Sequence, residues 1–138
     1  MTIESATMSL PRTIAAKWVR PGGLVILSDH STDPDPAAAR WHQEVERARD
    51  RTHTRNLTPG EITDLLARAG LEDVALAEEP FTLDLDEWFG RGTPAVSREE
   101  IGALVSRGSA RGFRPGARPD RGVTLGCVRA LARGRVPA

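Results

Sequence analysis

Four consecutive aliphatic residues, Leu24-Val25-Ile26-Leu27, constrain this chain more than any other feature. They follow Arg20-Pro21-Gly22-Gly23, a tight turn in which proline presets one backbone angle and glycine supplies a positive one. A short run without polar residues predicts a strand buried on both faces, the habit of parallel sheets covered by helices. Ser28-Asp29-His30-Ser31 then falls at the carboxyl end of that strand, where open α/β sheets bind ligands.

The flanking segments supply the helices. Ser9 to Arg20 predicts a short one, with Leu10, Ile14 and Trp18 four apart on one face. After the turn cluster Asp33-Pro34-Asp35-Pro36, a helix from about Ala37 to Asp50 carries the stripe Ala38, Trp41, Val45 and Ala48. Pro59 to Ala69 is the clearest helix. Thr58 caps it, Glu61 completes a capping box, and Gly70 ends it. Ser97 to Arg107 is a further helix, with Ile101, Leu104 and Val105 inward.

Leu71 to Ala77 reads as a strand, Phe81-Leu83-Leu85 as a second extended piece, and Val123 to Leu131 as the last strand. Gly108 to Gly122, rich in Gly, Arg and Pro, predicts a flexible loop. The order of helices and strands is that of an α/β protein with few strands.

Composition narrows the function. The 138 residues make one domain, and 19 basic residues balance 19 acidic ones. No global field is left to gather nucleic acid. The single cysteine, Cys127, excludes a disulfide framework. No apolar run reaches the roughly 18–20 residues of a membrane span. Met1 to Leu10 lacks the pattern of a secretory signal, so the expected compartment is the cytoplasm.

Trp18 to Asp29, with its Arg20-Pro21-Gly22-Gly23 turn, resembles the segment leading into the fifth strand of class I S-adenosylmethionine-dependent methyltransferases. Leu57-Thr58-Pro59-Gly60-Glu61 through Ala69-Gly70-Leu71 resembles the helix before that family's sixth strand. Val123 to Ala132 resembles its seventh, which runs antiparallel between the fifth and sixth. Arg49 to Arg55 resembles an insertion of the ubiquinone-biosynthesis-like branch.

The resemblance implies a partial Rossmann-like methyltransferase fold, with a mixed sheet of about three strands and flanking helices. It implies the carboxyl, substrate-side half alone. The family's G-x-G cofactor loop has no counterpart, because Gly90-Arg91-Gly92 lies outside a strand-then-helix context. S-adenosylmethionine is therefore implied by resemblance only, with its site outside this chain. A fifth strand without its fourth-strand neighbour would leave an apolar edge, which predicts a homo-oligomer or a chain supplying the amino-terminal half.

Asp29 and His30 are the candidate catalytic pair, with His30 as base and the carboxylate orienting it. His53 and Arg55 are candidate substrate-binding residues, Arg55 by a bidentate grip on an anion. Trp41 and Trp88 are large enough to line a pocket for a planar or hydrophobic acceptor, and Trp41 also falls on a core stripe. His42 and Glu46, four apart on one helix, could join His30 or His53 in a metal site. Without a tight ligand spacing they read instead as solvated helix residues, and no metal is expected. Cys127 alternates with Val123 and Leu125 and is expected to be buried and inert.

Two other readings stay open. One is a cofactor-independent pocket protein, binding a small molecule or catalysing an isomerisation or cyclisation with Asp29 and His30. The other is a non-catalytic interaction module acting through the open strand edge.

Overall fold

The structure is a computed structural model, which describes residues 18–118 and 122–138. Most of the helix predicted from Ser9 to Arg20 lies outside the described residues. The elements run β1 (Leu24–His30), α1 (Pro36–Arg49), α2 (Pro59–Arg68), β2 (Glu72–Asp84), α3 (Leu85–Phe89), α4 (Arg98–Val105), β3 (Arg114–Arg118) and β4 (Gly122–Arg135).

β4 is the spine of the sheet. β1 pairs with it from Leu24↔Arg135 to His30↔Arg129, and β2 lies along its other edge as far as Asp84↔Thr124. The order is β1-β4-β2, with the last strand antiparallel between the two others, as the resemblance implied. Two expectations are corrected. The sheet has four strands, and every adjacent pair is antiparallel. The fourth strand is β3, which comes from the Gly/Arg/Pro-rich segment expected to be a loop. It pairs Arg114↔Gly126 through Arg118↔Gly122, in line with β1 on the same side of β4. Phe113, 1% exposed, anchors its start, and Pro115 is tolerable because an edge strand need not donate on its outer side.

The two extended pieces expected in the middle of the chain are one continuous strand, β2, which runs through Pro80; Leu85 already belongs to α3. β1 also departs from the expectation of burial on both faces. Leu27 is 4% exposed, whereas Ile26 is 70% and Leu24 43% exposed. Period-2 alternation puts these residues on opposite sides of the sheet, and only the Leu27 side is covered here.

Alternation along β4 divides the core in two. Ala130, Ala132 and Val136 face α2 and pack with Leu27, Leu65 and Leu66. Leu125 and Cys127 face the other side and pack with Val45, Trp88, Ile101 and Phe113, from α1, α3, α4 and the start of β3. α2 forms as its sequence predicts: Thr58 Oγ1 accepts from the Glu61 N–H (3.1 Å) and Glu61 Oε1 accepts from the Thr58 N–H (3.0 Å). Gly70 follows at φ 85°, the left-handed conformation that ends a helix without Cβ strain. α1 is capped by Asp35, whose carboxylate accepts from the Ala38 N–H (3.0 Å).

Candidate functional site

The chain leaves β1 through two buried polar residues. The Ser31 N–H donates to the Val128 carbonyl (3.0 Å), and the Thr32 N–H donates to the Leu57 carbonyl (3.0 Å). This exit lies between the end of β1 and the start of β3. Gly112 fills the gap at φ 96°, and a Cβ there would collide with the Ser31 carbonyl oxygen. The Arg111 N–H donates to Asp33 across the same gap (2.9 Å).

α1 turns a polar stripe toward this point. Val45 and Ala48 are buried as expected, but so are His42, Glu46 and Arg49, which corrects the reading of His42 and Glu46 as solvated residues. Spacings of four and three place these side chains along one helix face, beside the apolar stripe rather than opposite it. Burial then demands partners. His42 has them on both ring nitrogens: the Asn56 side-chain amide donates to Nε2 (3.2 Å), and Nδ1 donates to Thr32 Oγ1 (2.8 Å). Burial pushes His42 down to about 4, so the ring is neutral at physiological pH.

Glu46 is held more firmly still. Trp88 Nε1 donates to its Oε1 (2.8 Å), and Arg49 donates to its Oε2 (3.3 Å). The Arg49 guanidinium lies over the Trp88 ring, 5.0 Å from the centroid. The Nδ1 of His53 approaches Glu46 Oε2 at 3.9 Å. Phe113 backs the cluster, with ring centroids 5.0 Å from His42, 5.1 Å from Trp88 and 5.7 Å from Trp41. Beside it lies a cavity of about 50 Å³, bounded by His30, His42, Glu46, Arg49, Trp88 and Arg91.

His30 and Trp88, both singled out in the sequence, thus meet at one cavity, and His53 joins through Glu46. The His30 ring packs at 5.0 Å from Phe81, over which Arg129 also lies. Asp29 accepts the His30 backbone N–H (2.8 Å). As consecutive strand residues their side chains leave the sheet on opposite sides. Burial pushes the Asp29 carboxyl up and the His30 imidazole down, while their mutual attraction opposes both shifts.

Trp41 stays in the core, its Nε1 donating to the Leu104 carbonyl (3.0 Å). Arg55 lies apart and pairs with Glu61 (2.7 Å). The recess there, about 160 Å³, also touches Thr32, Gln43 and Asn56. Burial pushes the Cys127 thiol up to about 11, which leaves it un-ionised at neutral pH. Among the described residues, no three His, Cys, Asp or Glu side chains are grouped to hold a metal. Sequence reasoning missed Thr32, Arg49, Asn56 and Phe113. The spacing of His42, Glu46 and Arg49 on one helix stripe was the available signal.

The comparisons with known proteins bear on the fold. No protein-family model matches the sequence. The uncharacterised protein YafE of Escherichia coli strain K12 is 33% identical over 73 residues, which are 53% of this chain and 35% of YafE. The structure of a candidate methyltransferase from Bacillus halodurans C-125 superposes with a TM-score of 0.76 at 21% identity, over 92% of this chain and 57% of that one. The YcgJ protein of Bacillus subtilis gives 0.72 at 22% identity, over 86% and 53%. The chain therefore spans about a third of the curated relative and little more than half of the two solved structures. What these likenesses establish is the fold, which is methyltransferase-like.

S-adenosylmethionine, the cofactor the resemblance implies, does not fit the described residues. Gly90 caps α3 rather than opening a helix. A Cβ on Gly92 would lie 2.7 Å from the Asp50 Cβ, so that backbone is already packed against protein. The 50 Å³ cavity is far below the roughly 300–1,000 Å³ of small-molecule sites. A larger groove of about 460 Å³ runs between α1 and α4, but it is open and lined by Glu44, Arg47, Val96, Glu100 and Arg107, with no glycine loop.

Proposed function

We propose that this chain is the acceptor-side portion of a small-molecule methyltransferase of the ubiquinone-biosynthesis-like branch. In this reading it acts in the cytoplasm, and polypeptide beyond these 138 residues holds the sulfonium donor. The observation that carries the reading is a cavity at the carboxyl end of β1 bounded in part by His30, Glu46 and Arg49, in a sheet ordered β1-β4-β2. His30 and Trp88 line it, and His53 stands behind Glu46, so this portion would bind and orient the acceptor and manage its proton. Arg55, at the neighbouring recess, and Trp41, in the core behind Phe113, lie outside that cavity.

Exposed Leu24 and Ile26 support a covering partner, either a donor-binding half or a second copy of this chain. Calorimetric titration with S-adenosylmethionine tests the division of labour. The chain alone should give no binding, and tight binding would overturn the proposal. Sedimentation at high concentration tests the second copy, which a persistent monomer would remove.

A further inference from the structure

Access decides which residues around the cavity can meet a ligand. His42, Glu46, Arg49, Trp88 and Phe113 bound it but are buried. His30 and Leu83, half-buried, and Arg91, exposed, bound it too, so its mouth lies among these three. Arg91 spends one of its five N–H donors on Glu87. Arg129, the cross-strand partner of His30, lies 5.0 Å over the Phe81 ring, against which His30 also packs. Two guanidinium groups thus stand near the imidazole at the mouth.

The buried polar groups hold that mouth in shape. Arg49, whose charge balances Glu46, also donates to the Arg91 carbonyl. The Arg51 N–H donates to the Thr93 carbonyl (2.8 Å) and the Ala95 N–H to the Ala48 carbonyl (2.9 Å), so the segment carrying Arg91 is stapled along the end of α1. Arg91 is therefore presented on fixed backbone, which reduces the ordering that binding must impose. Of the neighbouring carboxylates, Glu46 is spent on Trp88 and Arg49, and Glu79, opposite Arg129 on β2, is exposed. Burial, then the charges of Arg129 and Arg91, push the His30 imidazole down against the pull of Asp29 and Glu46, which leaves the ring mainly neutral near pH 7.

We infer that Arg91 and Arg129, with His30 beside them, receive a carboxylate, so that the acceptor taken at this site is a carboxylic acid. The inference rests on the acceptor-side reading and names its substrate class. Arg91 donates N–H bonds to the carboxylate, and such charge-assisted bonds are roughly twice as strong as those to a neutral oxygen. Neutral His30 adds one ring N–H. Arg129 adds attraction at longer range. A cavity of about 50 Å³ admits the acid group alone, and the rest of the acceptor lies outside the mouth, against Leu83.

Titrating the chain alone with sodium benzoate tests this without any methyl donor, read by NMR of the imidazole and guanidinium nitrogens. Benzoate should shift His30 and Arg91, and benzamide, its neutral counterpart, should bind about tenfold more weakly or not at all. Arg91→Gln changes an exposed side chain, so the fold should persist by circular dichroism, and benzoate affinity should fall about tenfold. Arg129→Gln should weaken benzoate less, and Arg91→Lys should restore part of the loss. Arg98→Gln, which removes an exposed arginine away from the mouth, should leave the affinity unchanged. No benzoate response, equal binding of benzamide, a response that survives Arg91→Gln, or one centred on Arg55 would each overturn the assignment. Failure of the methyltransferase reading would show separately, as tight S-adenosylmethionine binding by the chain alone, with the benzoate response intact.

Discussion

The two halves of the core are built for different ends. On the α2 side the hydrophobic cluster is entirely aliphatic: Leu27, Leu57, Ile62, Leu65, Leu66, Ala69, Leu71, Ala130, Ala132 and Val136. On the opposite side, Trp88, Phe113 and Cys127 share the interior with His42, Glu46 and Arg49. Aliphatic burial yields stability with no polar group to satisfy. The aromatic side spends hydrogen bonds on holding a carboxylate and imidazoles in fixed positions, and keeps a cavity beside them. Buried polar groups and the cavity thus gather on one side of the sheet, and purely aliphatic packing on the other.

Substitution at Phe113 should separate the halves most sharply. Phe113→Ala empties a position that is 1% exposed and touches three rings, and it should cost about 3–5 kcal/mol, read from the urea midpoint. It should also disturb the His42 and His53 imidazole signals. Ile62→Ala, equally buried under α2, should cost about 2–5 kcal/mol and leave those signals where they were. If both variants move the imidazoles equally, the division between the halves is wrong.

The pH dependence should come from the aromatic side. Burial holds folded His42 near 4, against about 6.5 in the unfolded chain, so the unfolded chain binds the proton more tightly. The stability His42 contributes is complete above about 6.5 and drains away as the pH falls toward 4, by roughly 3 kcal/mol. His42→Gln should flatten that slope in denaturant titrations at several pH values, whereas substitutions under α2 should not. The smallest effect belongs to the α2 cap. Thr58→Ala removes one arm of the capping box and should cost about 1 kcal/mol, with no change in the pH profile.

The aliphatic half was the more legible in sequence. Thr58, Pro59, Glu61 and Gly70 announce α2 by local chemistry alone, and Ile62, Leu65, Leu66 and Ala69 face inward as their spacing requires. The antiparallel placement of β4 also followed from the resemblance. The aromatic half was not legible, because its order depends on distant partners. Arg114–Arg118 has poor strand propensity and becomes a strand only because β4 offers an unpaired edge and Phe113 plugs the core. The burial of Glu46 depends on Trp88, 42 residues away, and nothing near Glu46 in sequence reports it. His30, His53 and Trp88 could be marked as chemistry-bearing types, but their convergence is a property of the assembled sheet.

β4 has a consequence for how the molecule comes apart. One face of this strand belongs to the aliphatic core and the other to the aromatic core, and β1, β2 and β3 all hydrogen-bond to it. Neither half can melt without stripping partners from the strand that supports the other. Two interiors of unlike chemistry should therefore give a single cooperative transition, with amide hydrogens along the middle of β4 the last to exchange.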